Sequence, residues 1–297
     1  MLWLFQLPMV VLQHLYTLFL FTKSDIKTTV VPITVLAVAS APLTNIAHLP
    51  HTIFWTWFHV LQFDVSNQTL DPEEDEHNKK DRPLPAKRIT YRNALILRWA
   101  LVPACWTLSA CYSLETMYAS MGLVALTVIY DELGAHAGHW AIRNLVNALG
   151  FVSFEVGASL VAGNNRHFLD NTARLSVLCS AGIFFTTIQS QDFKDVEGDS
   201  MIGRQTIPIV HPKLAAPTLA MVLQAWSVGL AILWHANLVT GMAINTLALA
   251  VGLCFLLSKT CKAYQRSFYL YNVWLSFAHG LPLCWRLYCA SQAVSAS

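Results

Sequence analysis

Long apolar runs separated by short polar breaks fill almost the whole chain. They fall at about 28–47, 50–66, 92–112, 114–131, 142–162, 172–190, 213–235, 238–258 and 268–286. A membrane-crossing helix needs about 20 apolar residues, and several of these runs are slightly short, which implies tilt and contact with protein rather than lipid. The pattern predicts an all-α polytopic membrane protein, with about nine transmembrane helices bundled around a central cavity. Residues 1–22 are apolar too, but Gln6, Pro8, Gln13 and His14 make them a poor span. They have no basic leader and no small-residue cleavage site, so they read as an interfacial helix rather than a signal peptide. The bundle then occupies 23–290, with a short tail at 291–297.

Only two connections are long and rich in charge, 67–91 and 191–212. A site has to be sought there, because the other loops are too short to hold one.

Composition agrees with a membrane class: 55% of residues are hydrophobic and 12% charged, against about 25% charged in a soluble domain. With the N-terminus in the cytosol, fifteen of the 19 basic residues fall on the cytosolic side, together with both long connections. That asymmetry sets the orientation and requires an odd number of spans. In a eukaryotic cell the expected membrane is the endoplasmic reticulum. The net charge of +2, spread along the chain, gives no footprint for nucleic acid. The seven cysteines lie mostly in apolar runs with no paired motif, and read as small buried hydrophobes. His136 and His139 lack the cysteine or carboxylate partners of a zinc site and read as a solvated loop pair.

The two charged connections each open on an acidic stretch. In the first, Asn67, Asp71 and Asp75 stand at i, i+4 and i+8. In the second, Asp192, Asp195 and Asp199 stand at i, i+3 and i+7. On a helix either spacing stacks oxygen ligands along one face. Converging carboxylates repel one another unless a cation intervenes. Magnesium, an oxygen-seeking ion usually held by a few carboxylates plus substrate phosphates, fits that need. Lys79, Arg82, Lys194 and Arg204 lie near enough in sequence to touch phosphate oxygens. A diphosphate clamped in this way becomes a good leaving group. If it departs from an allylic carbon, the cation left behind needs a dry aromatic cavity. Trp55, Trp57, Phe58, Tyr112, Tyr130, Phe151, Phe154, Phe184 and Phe185 are the span residues available to line one.

The paired motifs resemble those of the UbiA superfamily of intramembrane prenyltransferases. The first family motif, N-D-x-x-D-x-x-x-D, is matched at Asn67, Asp71 and Asp75, and Arg82-Pro83-Leu84-Pro85 follows in a family-like way. The second, D-x-x-D-x-x-G-D, is matched by Asp192-Phe193-Lys194-Asp195-Val196-Glu197-Gly198-Asp199 and continued by Gly203-Arg204-Gln205-Thr206-Ile207-Pro208. The resemblance implies magnesium-dependent ionisation of an isoprenyl diphosphate. Asn67, Asp71, Asp75, Asp192, Asp195 and Asp199 would serve the metal and diphosphate.

Two departures stand out. Gln68 replaces the first motif's leading aspartate. Tyr130 keeps the tyrosine of a family Tyr-x-x-x-Lys, but Gly134 stands where the lysine would be, leaving Arg143, Asn144 and Asn147 as nearby polar replacements. Pro72 is awkward inside a helix and would kink it just after Asp71. These features resemble the divergent fungal branch of the superfamily, which holds both prenyltransferases of terpenoid and meroterpenoid secondary metabolism and membrane-bound terpene cyclases. Family frequency favours transfer of the prenyl group to a small aromatic or phenolic acceptor. The alternative is cyclisation of a substrate such as farnesyl diphosphate with no acceptor. An ion transporter fits less well, because the acids sit at span ends. Glu155, the main mid-span exception, reads as a structural, hydrogen-bonded acid.

Overall fold

The computed structural model describes residues 2–43, 45–70, 79–201 and 203–296, with side chains from 10 to 292. Among the described residues the fold is helical, with one isolated bridge between His139 and Gln205. The helices are α1 (Leu2–Thr22), α2 (Val31–Ser40, entered through a wide turn at Ile26–Val30), α3 (His48–Gln68), α4 (Tyr91–Ala110), α5 (Leu114–Asp131), α6 (Trp140–Ala162) and α7 (Asn171–Thr187). After a tight 3₁₀ segment, Ile188–Lys194, come two short helices, α8 (Val196–Met201) and α9 (Ile207–Val210). The chain ends with α10 (Pro212–Leu233), α11 (Leu238–Leu257), α12 (Cys261–Gly280) and α13 (Pro282–Ala296).

Local chemistry sets these boundaries. Thr90, Ser113, Asp170, Asn237 and Thr260 each accept a hydrogen bond from the backbone N–H three residues on, which starts α4, α5, α7, α11 and α12. Most helices end within a few residues of the apolar runs that predict them. Two do not. The run at 28–47 stops being helical at Ser40, because Ala41 is extended ahead of Pro42. The run at 268–286 is divided between α12 and α13 at Pro282, which has no N–H for the carbonyl one turn back. Beyond it α13 runs on through 291–296, so the expected short tail is helical.

Packing closes these helices into a ring. Each of α2 to α7 packs on its neighbour, α7 meets α10, and α10, α11 and α12 continue until α12 returns to α2. Helix α6 also touches α2 and α3, so it borders the interior on several sides, while α1 lies outside against α3. Three helices are long and apolar enough to cross a membrane among the described residues: α6, α10 and α11. The other long helices carry more polar side chains. The outer surface is apolar, with Leu178, Ile232, Leu238 and Leu257 all well exposed, as a lipid-facing wall requires.

The two ends of the ring differ. At one, Arg286 pairs with Asp170 and donates to the Ser40 carbonyl, and Arg166 lies over the Tyr112 ring. The other end gathers the acids. Arg98, two turns inside α4, is buried, yet its guanidinium reaches Thr69 and pairs with Glu132 at that end. Its charge is thereby brought to the helix termini.

Candidate active site

The second acidic stretch does not continue α7 as one helix. Ile188–Lys194 winds tightly, Asp195 breaks the winding, and α8 follows. The three aspartates therefore do not share the single helical face that their spacing predicts. Each is met by a different cation.

Asp192 is buried against α6. Arg143 donates to it twice, Nη1 to Oδ2 and Nη2 to Oδ1, both at 2.8 Å. Parallel paired bonds of this kind are the strongest arrangement a guanidinium makes with a carboxylate. Burial pushes the Asp192 carboxyl up to about 6, with Asp199 and Asp195 adding to the rise and Arg143 opposing it. Arg204 donates from Nη1 to Asp199 Oδ1 at 2.9 Å. That contact depends on Gly203, whose φ of +74° lets the chain turn back after α8 so that the Arg204 N–H reaches the Asp199 carbonyl. Lys194 pairs with Asp195 at the more exposed edge. Lys194 and Arg204, expected as phosphate contacts, are thus bound to the acidic stretch itself.

The first stretch enters the site from the end of α3. Ser66 donates to Asp131 Oδ2 at 2.6 Å, and Asn67 Nδ2 lies 3.5 Å from Asp131 Oδ1. Asn67 thereby turns its amide N–H₂ toward α5 and leaves its oxygen for another partner. Asp71 and Asp75 lie outside the described residues. Gln68, at the altered motif position, is buried and donates to the Phe21 carbonyl at 2.9 Å. Its role here is to hold α1 to α3. Asp64, one turn before Asn67, was not singled out from sequence. It is buried, and Asp25, Lys79 and Arg82 lie close enough to act on its carboxyl. Its i−3 and i−7 offsets from Asn67 and Asp71 were the available signal.

Tyr130 links the two halves. It precedes Asp131, and it stands with Asp192 and Asp199 among the groups acting on the Arg143 guanidinium. Below it a narrow cavity opens between α3, α5 and α6, walled chiefly by Phe63, Leu123, Tyr130, Asn147, Phe151 and Phe154. Asn147 donates to the Arg143 carbonyl, so the polar side chain at the mouth is tied to the residue that holds Asp192. Phe151 stacks on Phe184 with centroids 3.7 Å apart. Of the aromatic residues expected on the wall, Tyr130, Phe151 and Phe154 line it and Phe184 backs it. Trp55 instead packs on Gly157, Trp57 donates to Thr22, Tyr112 meets His51 at the opposite end, and Phe185 is substantially exposed. Phe63 was missed, although it stands one turn before Asn67.

Several buried polar atoms beside Asp192 have no hydrogen-bond partner: Asn144 Oδ1, Gln189 Oε1, Ser190 Oγ, Asp199 Oδ2, and the Nε atoms of Arg143 and Arg204. Buried polar groups normally find partners. Oxygens of this kind suit a hard cation such as magnesium, and the two N–H groups suit an anion. The residues present therefore fit a metal–diphosphate ligand. Among the described residues no three acids, histidines or cysteines converge into a metal cluster without one.

Comparison with known proteins places this arrangement in context. Residues 29–278 match the UbiA prenyltransferase family. The fumagillin beta-trans-bergamotene synthase of Aspergillus fumigatus is 32% identical over 277 residues, covering 93% of this chain and 94% of that protein. A diterpene cyclase of Hericium erinaceus is 26% identical, covering 76% and 75%. Other relatives are a polyprenyl transferase of Hericium erinaceus and a digeranylgeranylglyceryl phosphate synthase of Methanococcus maripaludis. The structure of a UbiA homolog from Archaeoglobus fulgidus bound to GPP and Mg2+ superposes with a TM-score of 0.64 at 15% identity, covering 89% of this chain and 98% of that one.

Proposed function

The chain belongs to the UbiA prenyltransferase family, and from that premise we propose that it is a membrane-embedded terpene cyclase, ionising an isoprenyl diphosphate and closing the cation onto the substrate's own double bonds. The observation that carries the ionisation step is the buried Arg143–Asp192 pair, joined through Asn147 to the wall of an aromatic cavity. A charged clamp lies beside a wall of apolar rings, as cation chemistry requires. The names of the two relatives quoted above, a synthase and a cyclase of terpenes, support closure without an acceptor.

In this reading Asn67, Asp71, Asp75, Asp192, Asp195 and Asp199 hold magnesium, which when bound neutralises the diphosphate. Lys79, Arg82, Lys194 and Arg204 meet phosphate oxygens, and the free Nε of Arg143 extends that set. The allylic C–O bond breaks and its electron pair leaves with diphosphate. Phe63, Tyr130, Phe151 and Phe154 face the cation with their ring electrons and exclude water. The chain crosses the membrane nine times, with the acidic end in the cytosol, and serves terpenoid secondary metabolism.

A second reading, transfer to a phenolic acceptor, keeps the same ionisation site and is favoured by the polyprenyl transferase among the relatives. One experiment separates the two. The purified protein is incubated with magnesium and isoprenyl diphosphates of five, ten, fifteen and twenty carbons, without acceptor. Cyclic hydrocarbon or alcohol is expected from one of them. Product that forms only after a phenol is added would replace the cyclase with a transferase.

A further inference from the structure

Deeper in the ring, α2, α6, α7 and α12 bring together three side chains that the ionisation site does not use. Glu155, Ser180 and His279 are each at most 2% exposed. Ser180 Oγ lies 2.5 Å from Glu155 Oε1 and 3.0 Å from His279 Nε2, and His279 Nδ1 lies 3.0 Å from the Pro32 carbonyl. A carbonyl can only accept, so Nδ1 carries a hydrogen. In a neutral ring Nε2 is then an acceptor. Ser180 satisfies it by donating its single O–H there, and receives the O–H of a neutral Glu155 in return. The opposite polarity, with Glu155 ionised and His279 protonated, uses the same three contacts: the two hydrogens flanking Ser180 Oγ each cross their hydrogen bond, and the Nδ1–H to Pro32 stays in place. The chain is a ready path for a proton.

One atom falls outside this network. Glu155 Oε2 is buried and has no hydrogen-bond partner. A purely cohesive polar contact between helices needs neither a carboxyl nor an orphaned oxygen, and both are costly in a membrane interior. The network also backs the cavity wall. Glu155 directly follows Phe154 and stands one turn beyond Phe151, both of which line the cavity. Phe184, stacked on Phe151, meets the His279 ring edge-on at 5.9 Å. Along α6, Glu155 lies twelve residues past Arg143, which is about 18 Å of helix. A substrate whose diphosphate sat at Asp192 would lay its hydrocarbon along this stretch of α6, down to the level of Glu155 behind the Phe151 and Phe154 wall.

We propose that Glu155, Ser180 and His279 form the relay that accepts the proton lost when the carbocation collapses to product. This rests on the ionisation reading above, but not on whether the cation closes on itself or on an acceptor, because both routes end in proton loss. The C–H bond beside the cationic carbon breaks and its electron pair becomes the new double bond. The proton goes to Glu155 Oε2. Glu155 passes its Oε1 proton to Ser180, and Ser180 passes its own to His279 Nε2. Glu155 remains a neutral acid and the charge rests on the imidazolium, held by Pro32. After product leaves, the proton returns to water by the same path through the emptied cavity.

The test reads two quantities in one reaction of the full-length protein with magnesium and farnesyl diphosphate: diphosphate released and olefin formed. If the wild type turns over only with a phenol, the prenylated phenol replaces the olefin. In Glu155→Gln the ratio of olefin to diphosphate should fall about a hundredfold, the low side of what a positioned base contributes, with alcohols and linear products making up the difference. Ser180→Ala should give the same shift, and the double variant should go no further; if Glu155→Gln does not fold, Ser180→Ala carries the test. Asp192→Asn should lower both quantities together. An unchanged ratio in the relay variants overturns the relay. A parallel loss of both quantities with lowered thermal stability shows a structural role and also overturns it. A wild type that releases no diphosphate from any isoprenyl substrate overturns the ionisation reading, and the relay with it.

Discussion

Arg143 and Asp192 meet through two hydrogen bonds of 2.8 Å each, with both side chains almost wholly buried. The arginine comes from the first turn of α6 and the aspartate from the 3₁₀ segment after α7, so the pair ties the second acidic stretch to the helix that walls the cavity. It also bears on the altered tyrosine motif. Gly134, three residues past the end of α5, has φ +73°, in a left-handed turn that disfavours a lysine side chain there, and Arg143 brings a cation to the neighbourhood of Tyr130 instead.

Breaking this pair should have two separable effects. Arg143→Ala leaves a buried carboxylate uncompensated, a loss of about 3–5 kcal/mol for such pairs, and thermal melting in detergent should drop accordingly. Arg143→Lys keeps the charge but loses the planar fork. It should melt closer to the wild type and still lose about tenfold or more in diphosphate release. Full release in Arg143→Lys would remove this residue from the site.

Gly203 gives a milder test of the same region. A left-handed conformation costs a side-chain-bearing residue about 1–2 kcal/mol, so Gly203→Ala should relax the turn that returns Arg204 to Asp199. Nothing lies within 4 Å of the added methyl, so a steric clash does not contribute. The expected result is a raised KM for the isoprenyl diphosphate with a small change in melting. A variant with unaltered KM would show that the Arg204 position is not critical for the diphosphate.

The apolar runs made the helices legible because lipid demands that each backbone group be satisfied within its own segment. They were less informative where polar residues join a helix, as at Lys262 and Gln265 in α12. The acidic spacing marked the right stretch but implied the wrong backbone. Asp192, Asp195 and Asp199 sit in a 3₁₀ segment, at a break and in a short helix, an arrangement set by the cations that meet them from α6 and from the turn at Gly203. Periodicity along one chain cannot show which residue of another helix will arrive opposite. For that reason Arg143 was only a nearby polar replacement, and Glu155 gave no hint of Ser180 and His279, 25 and 124 residues further on.

Removal of divalent metal should stop the reaction. The orphaned oxygens of Asn144, Gln189, Ser190 and Asp199 suit a hard cation, and the cations of the second stretch are already paired with its aspartates, so a diphosphate needs further positive charge. Diphosphate release should therefore vanish in EDTA and return with magnesium. Turnover undiminished in chelator would contradict the role given to the acidic stretches.

The last prediction concerns the packing of α3 on α6, which sets the distance between the two halves of the site. A Cβ on Gly157 would lie 2.1 Å from the Trp55 ring, so only a glycine lets the two helices approach this closely. The ring has no room to retreat, because Trp55 is fully buried and donates from Nε1 to Ser109 Oγ at 2.9 Å. Overpacking of this kind costs about 1–3 kcal/mol, and Gly157→Ala should lower the melting temperature by a corresponding amount and reduce diphosphate release as α3 shifts. Trp55→Phe removes the very ring atoms that would collide, while losing the Ser109 bond. If the clash is the cause, Gly157→Ala should cost clearly less in the Trp55→Phe background than in the wild type, a coupling expected only between touching residues. Equal costs in both backgrounds would mean that Gly157 serves the bundle in some way other than by admitting the Trp55 ring.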